Sequence, residues 1–88
     1  MIKPEVKELD KPVLVFIHEF IKANGFPPTQ SEISRVLGRS ETAVYFSIIR
    51  LRNLGIVSFV RGRYRTYTIR PDSPVKIEED NIAIFNYA

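Results

Sequence analysis

The sequence predicts a mainly helical α+β domain in which three helices are followed by a two-stranded β-hairpin. Up to Leu54, apolar residues recur with helical spacing, and capping residues and glycines bound three separate stretches. After Gly55 the apolar period changes from 3.6 to 2, which is typical of strands. A chain of 88 residues has room for one hydrophobic core, which we assign to residues 1–70.

The first helix is predicted to begin at an Asp10 N-cap and to end near Gly25, before Pro27-Pro28. Pro12 fits its first turn, because backbone N–H groups there have no helical partner. One face carries the apolar residues Val13, Leu14, Phe16, Ile17, Phe20 and Ile21. Val15 is apolar but lies on the other face.

The second helix opens with a capping box, in which Thr29 and Glu32 exchange hydrogen bonds. Its apolar stripe consists of Ile33, Val36 and Leu37. After a stop at Gly38, Ser40 caps a third helix that runs from Glu41 to about Leu54. Two short capped helices separated by a glycine-containing turn predict a helix-turn-helix.

The third helix has a core side and an outer side when it is plotted at about 100° per residue. The core side consists of Val44, Ser47, Ile48, Leu51 and Leu54. The outer side presents Thr42, Tyr45, Phe46, Ile49 and Asn53, with Arg50 and Arg52 at its margins. Residues 56–60 and 66–69 are predicted to be the two strands, and residues 61–65 form their basic tip.

Residues 71–88 begin with the chain-breaking Pro71-Asp72-Ser73-Pro74 and are predicted to be a C-terminal extension. This extension forms either a second hairpin, which we favour, or a short helix capped by Asp80. Apolar residues beyond the needs of one core predict a homodimer interface made of Val15, Ile82, Ile84, Phe85 and Tyr87. The alternative is that the extension covers the core of its own chain.

Positive charge is concentrated in the middle of the chain. All eight arginines lie between residues 35 and 70, where Glu41 is the sole acidic residue. Guanidinium groups form bidentate hydrogen bonds with phosphate and guanine, so this block predicts a polyanionic partner. A solvated basic surface is the alternative.

The sequence gives little support to an enzyme, a metalloprotein or a membrane protein. Cysteine is absent, His18 is the single histidine, and the acidic run Glu78-Glu79-Asp80 lacks the spacing of a calcium loop. The longest apolar run, Val13 to Ile17, is far too short to span a bilayer, and the N-terminus lacks a secretory signal. We expect a cytoplasmic, nucleoid-associated protein of prokaryotic or viral origin, without a cofactor or small-molecule ligand.

Two local motifs combine turn, cap and core positions. They are Gly25-Phe26-Pro27-Pro28-Thr29 with Glu32-Ile33, and Leu37-Gly38 with Ser40. With these motifs and this order of elements, residues 12–70 resemble the N-terminal DNA-binding domain of LexA repressors and, more loosely, the winged helix-turn-helix superfamily. The resemblance implies operator binding as a dimer, with the third helix reading bases and the hairpin, or wing, near phosphates. The 88 residues have no room for the self-cleaving serine-lysine peptidase domain of LexA repressors, so that activity is not expected.

Together, the resemblance and the charge distribution predict the contacts with double-stranded DNA. Base contacts are assigned to Thr42, Tyr45 and Phe46, although acidic or small polar residues are common in the LexA family at the last two positions. Backbone contacts are assigned to Arg35, Arg39, Ser40, Arg50, Arg61, Arg63 and Arg65.

Each of these assignments has an alternative. Tyr45 and Phe46 can instead pack against the wing or a partner chain, and the wing arginines can protect an exposed strand edge from aggregation. The alternative function is a protein-interaction module that docks through Tyr45, Phe46 and Ile49. The basic wing favours DNA, because an apolar docking site has no need of it.

Overall fold

Three helices precede a short antiparallel hairpin in the fold. A computed structural model describes residues 7–75. The elements are α1 (Asp10–Asn24), α2 (Gln30–Leu37), α3 (Glu41–Asn53), β1 (Val57–Ser58) and β2 (Thr68–Ile69). The predicted mainly helical architecture is therefore confirmed. Ile82, Ile84, Phe85 and Tyr87 lie outside the described residues, as does the choice between a second hairpin and a short helix.

The hydrophobic core lies between α1, α3 and the hairpin, and α2 packs against both longer helices. Its buried residues are Leu9, Val13, Leu14, Ile17, Ile33, Val44, Ile48, Leu51, Ile56, Val57 and Val75. The predicted core side of α3 is confirmed, with Ser47 also buried and Leu54 packed at the edge. None of the helices in residues 7–75 is long and apolar enough to cross a membrane.

The start of α1 differs from the prediction, because Asp10 is not its N-cap. Leu9 occupies that position in a right-handed conformation and makes no side-chain cap, so Asp10 is the first helical residue. The Asp10 carboxylate accepts one backbone hydrogen bond, from the N–H of Lys7 at 2.9 Å. Its remaining bonds go to α3, where a hydroxyl and a guanidinium offer stronger donors than the first turn of its own helix.

The α2 capping box is present as predicted. Thr29 Oγ1 accepts from the Glu32 N–H at 3.1 Å, and Glu32 Oε1 accepts from the Thr29 N–H at 2.8 Å. The predicted apolar stripe is wrong at one position, since Val36 is 65% exposed whereas Ile33 is fully buried. An eight-residue helix buries a narrow stripe, and here it follows Ile33 and Leu37 rather than the Val36 edge.

Side-chain hydrogen bonds fix the turn between α2 and α3. Ser40 caps α3 by accepting from the Ala43 N–H at 3.1 Å, as predicted. Gln30 Nε2, at the start of α2, donates to the Glu41 carbonyl at 2.7 Å, and the Ser34 hydroxyl donates to the Arg39 carbonyl. The start of α2 is therefore bonded to the start of α3, and the middle of α2 is bonded to the turn between the two helices.

The hairpin is shorter than predicted, since its ladder contains two pairs, Val57 with Ile69 and Ser58 with Thr68. Beyond them, Thr66 Oγ1 replaces a backbone acceptor and takes a hydrogen bond from the Val60 N–H at 2.9 Å. Arg65 has a φ of 54°, in the left-handed region, so the tip curls out of the extended conformation that strands require. Residues 59–67 therefore form a long tip on a short ladder.

Candidate nucleic-acid interface

The outer side of α3 presents the three predicted base-contacting residues. Thr42 is exposed, Phe46 is 56% exposed, and Tyr45 is half-buried with its ring centroid 6.2 Å from that of Phe46. Their exposure follows from the buried stripe on the opposite side, where Val44, Ser47, Ile48 and Leu51 are enclosed. One helix thus carries a hydroxyl, a phenol and an apolar ring on a single accessible surface.

The two aromatic side chains of this surface border different hollows. Phe46 borders a shallow hollow whose other residues are Lys7, Glu8, Leu9, Arg39, Ala43 and Arg50. Tyr45 borders a cleft of about 410 Å³ between the start of α2, α3 and the wing. Tyr45 therefore lines the cleft on the wing side of α3, whereas Phe46 borders the hollow on the other side.

The cleft beside Tyr45 has an aromatic floor and a basic rim. Phe59 and Tyr67 meet edge to face with centroids 5.4 Å apart, and the Tyr67 hydroxyl donates to Gln30 Oε1 at 3.3 Å. Burial raises the pKa of the Tyr67 hydroxyl above its ordinary value, so this group stays protonated and keeps donating. Arg61 and Arg63 line the rim.

Four of the predicted backbone-contacting arginines keep their guanidinium groups available. Arg35, Arg39, Arg61 and Arg63 are exposed and form no ion pair with any side chain of residues 7–75. Arg39 stands on the Phe46 side of α3, and the two wing arginines stand on the Tyr45 side. Unpaired positive charge therefore flanks the outer surface of α3 on both sides.

Arg50, which was assigned to the DNA backbone, is engaged inside the protein. Its Nε lies 3.1 and 3.0 Å from the two Asp10 oxygens, and its Nη2 lies 2.9 Å from Oδ1. Ser47 Oγ donates to the same Oδ1 at 2.7 Å. The Asp10 side chain is 0% exposed and that of Arg50 is 30% exposed, so this ion pair is largely withdrawn from water.

Arg65 is likewise held by intramolecular contacts. Its Nη1 and Nη2 donate to the two Glu32 oxygens at 2.8 and 3.2 Å, and Nη1 also donates to the Pro27 carbonyl at 3.2 Å. The guanidinium lies over the rings of Phe26 and Phe20, 5.0 and 5.9 Å from their centroids. Hydrogen bonding from Arg65 lowers the pKa of the Glu32 carboxyl below its ordinary value.

Sequence reasoning did not identify Asp10 or Glu32 as partners of the basic block. The sequence predicts Asp10 as a cap and Glu32 as half of a capping box, whereas their arginine partners lie 40 and 33 positions further along the chain. The available signal was the rarity of acidic residues near eight arginines, which makes each acidic residue a candidate partner. Spacing alone gives no means of choosing which arginine each one binds.

The structure supplies no second candidate centre in residues 7–75. It contains no cluster of three His, Cys, Asp or Glu side chains that could hold a metal ion. His18 is half-buried and borders a small hollow with Ile21, Thr68 and Ile69. Its Nε2 is buried and has no hydrogen-bond partner among the described residues.

Comparisons with known proteins agree with this geometry. Residues 6–66 match the family described as LexA DNA binding domain. The chain is 32% identical over 65 residues to the LexA repressor of Thermotoga maritima, and 31% identical over the same length to that of Thermotoga petrophila. Each match covers 74% of this chain and 33% of the relative, so the chain spans about a third of the length of these curated proteins.

Replacing Asp10 with asparagine is expected to destabilise the fold by about 3 kcal/mol, because it leaves the Arg50 guanidinium partly buried without its counter-charge. Asparagine keeps the size of the side chain and an acceptor for Ser47, so the loss reports the charge. Urea unfolding measures the change. Asp72→Asn is the control, since the Arg70–Asp72 pair is exposed and its loss is expected to leave stability unchanged. Equal effects of the two substitutions would contradict the assigned role of Asp10.

Proposed function

Because the chain belongs to the LexA DNA binding domain family, we propose that it binds double-stranded DNA with α3 in the major groove and acts as a repressor-like regulator of transcription. The observation that carries this proposal is the accessible side of α3, which has unpaired arginines on both flanks. An α-helix fits the major groove, and base edges and thymine methyl groups are accessible there. Such a regulator works on DNA in the cytoplasm by binding, without a catalytic step or a cofactor.

The proposed base contacts use three different chemistries. The Thr42 hydroxyl donates to and accepts from base edges, the Tyr45 hydroxyl reaches an edge from the wing side, and Phe46 packs against thymine methyls. The exposure of Thr42 and Phe46 supports this division. With two aromatic rings on this surface, groove shape and methyl contacts contribute more to sequence preference than a dense hydrogen-bond pattern.

The proposed phosphate contacts come from the four arginines without an internal ion pair. Arg35 and Arg39 act beside the helix-turn-helix, and Arg61 and Arg63 act from the wing. Ser40 joins them, since its oxygen caps α3 while its hydroxyl hydrogen remains a donor for a phosphate at the helix N-terminus. Arg50 and Arg65 are left out of this set because Asp10 and Glu32 bind them.

The alternative function, a protein-interaction module, has one observation in its favour. Phe46 exposes more than half of its surface, and Ile49 is half-buried beside it on the outer side of α3. An apolar docking surface of this kind does not require four arginines without an internal ion pair. We therefore rank it second, and DNA titration separates the two functions.

Binding to random duplex DNA is expected to be submicromolar at low salt and to weaken steeply as salt increases, because arginine–phosphate contacts release counterions. Arg61→Gln and Arg63→Gln are each expected to reduce the slope of log affinity against log salt by about 0.9. Fluorescence anisotropy at several salt concentrations measures both quantities. Arg70→Gln is the matched control, since Arg70 pairs with Asp72 at the base of the hairpin.

Binding no stronger than millimolar at low salt would contradict the proposed function. A salt-independent interaction with a protein that is blocked by Phe46→Ala would instead support the docking module.

We also propose that the chain binds DNA as a homodimer. One module of this size gains useful affinity from two half-sites, and Val15 is apolar and half-buried on the side of α1 away from the main core stripe. Selection of bound sequences from a random duplex pool is expected to recover an inverted repeat, because two-fold symmetric proteins read two-fold symmetric sites. A single unrepeated motif would contradict the dimer.

A further inference from the structure

We infer that Arg65 is a positioning residue that fixes the wing against the helix-turn-helix, so that Arg61 and Arg63 alone among the wing arginines face DNA. The inference rests on the proposed function and refines its binding site. Its basis is the set of contacts that Arg65 makes with Glu32, Pro27 and two phenylalanine rings.

Glu32, which binds Arg65, also takes part in the capping box of α2. Glu32 Oε1 accepts from the Thr29 N–H at 2.8 Å to close the α2 capping box, and the same oxygen accepts from Arg65 Nη1 at 2.8 Å. The wing is thus attached to the first turn of α2, next to Gln30, which itself holds the start of α3. One carboxylate therefore connects the wing to the helix pair that positions α3.

The guanidinium of Arg65 packs against the rings of Phe20 and Phe26. Their centroids lie 5.8 Å apart in an edge-to-face arrangement, and Phe26 is 46% exposed. A planar guanidinium over such rings gains cation–π attraction while its edge remains free for bidentate hydrogen bonding. The end of α1, the loop before α2 and the wing therefore meet at a single side chain.

The hairpin itself is too short to orient its tip. Two residue pairs form the ladder, whereas residues 59–67 extend beyond it. The left-handed φ of Arg65 turns the returning strand so that its side chain reaches Glu32. Without this contact, the direction of Arg61 and Arg63 depends on two ladder pairs, the Thr66 hydrogen bonds and the contacts of Phe59 and Tyr67, which lie nearer the ladder than Arg65 does.

The substitution Arg65→Lys distinguishes a positioning role of Arg65 from a phosphate contact. It keeps the positive charge that a phosphate requires, but it loses the planar fork that binds both Glu32 oxygens and stacks on the rings. If Arg65 positions the wing, Arg65→Lys resembles Arg65→Gln. If Arg65 binds phosphate, lysine restores most of the affinity.

The test compares DNA affinity and its salt dependence for the full chain and its variants. Arg65→Gln and Arg65→Lys are each expected to weaken binding by about tenfold, because the wing must be ordered on binding. Neither is expected to change the salt slope, whereas Arg63→Gln lowers it by about 0.9 and Arg63→Lys restores it. Arg70→Gln, which removes an arginine from an exposed pair, serves as the control for charge.

A double-mutant cycle identifies the partner. Glu32→Gln retains a side chain that can close the capping box, so it selectively weakens the contact with Arg65. Combined with Arg65→Gln, it is expected to add no further loss of affinity, since both substitutions break the same contact. Combined with Arg63→Gln, its effect is expected to be additive.

Nitrogen-15 relaxation of the Gly62 and Arg63 amides in the DNA-free chain provides a readout that does not depend on binding. Both Arg65→Gln and Glu32→Gln are expected to increase fast motion at these amides. Unchanged relaxation, or a salt slope that falls by about 0.9 in Arg65→Gln and recovers in Arg65→Lys, would overturn the inference. Failure of the unsubstituted chain to bind DNA would refute the proposed function, while relaxation would still decide whether Arg65 holds the wing.

Discussion

The buried ion pair between Asp10 and Arg50 is the interaction on which the orientation of α3 depends. It joins the first residue of α1 to the outer margin of α3, and Ser47 donates a further hydrogen bond to Asp10 from the core side of the same helix. A carboxylate with 0% exposure is tolerated only while these donors remain in place. Rotation of α3 about its axis would therefore cost both the ion pair and the core stripe, so the outer surface with Thr42 and Phe46 is held towards solvent.

The eight arginines divide into those held by contacts within the protein and those that remain available. Asp10, Glu32 and Asp72 bind Arg50, Arg65 and Arg70 within the described residues. Arg52 lies over the Phe59 ring, 5.5 Å from its centroid, and donates weakly to its neighbour Asn53. The four remaining arginines, Arg35, Arg39, Arg61 and Arg63, carry the charge that a phosphate backbone would meet. Contacts within the protein, most of them with acidic residues, thus decide which arginines of the basic block remain available for the proposed interface.

Local chemistry made most of the fold predictable. The Thr29–Glu32 capping box, the Ser40 cap and the glycine stops specify three helices within a few residues of their observed ends, because each depends on neighbours in the chain. Predictions that depended on residues distant in the chain were less accurate than these. Asp10 forms its strongest contacts 37 and 40 positions away, and the exposure of Val36 depends on how α2 tilts against the core. The predicted strands are longer than the observed ones for the same reason, because Arg65 leaves the ladder to reach Glu32.

The proposed DNA-binding surface combines the outer side of α3 with the wing tip and leaves out the exposed residues in the second half of α1. Titration of the nitrogen-15-labelled chain with duplex DNA at low salt shows which amides lie at this surface. Amide shifts are expected to change at Thr42, Phe46 and Arg63 and to stay constant at Glu19 and Ala23 on the exposed part of α1. Changes concentrated on α1, with α3 and the wing unaffected, would rule out this surface as the DNA-binding site.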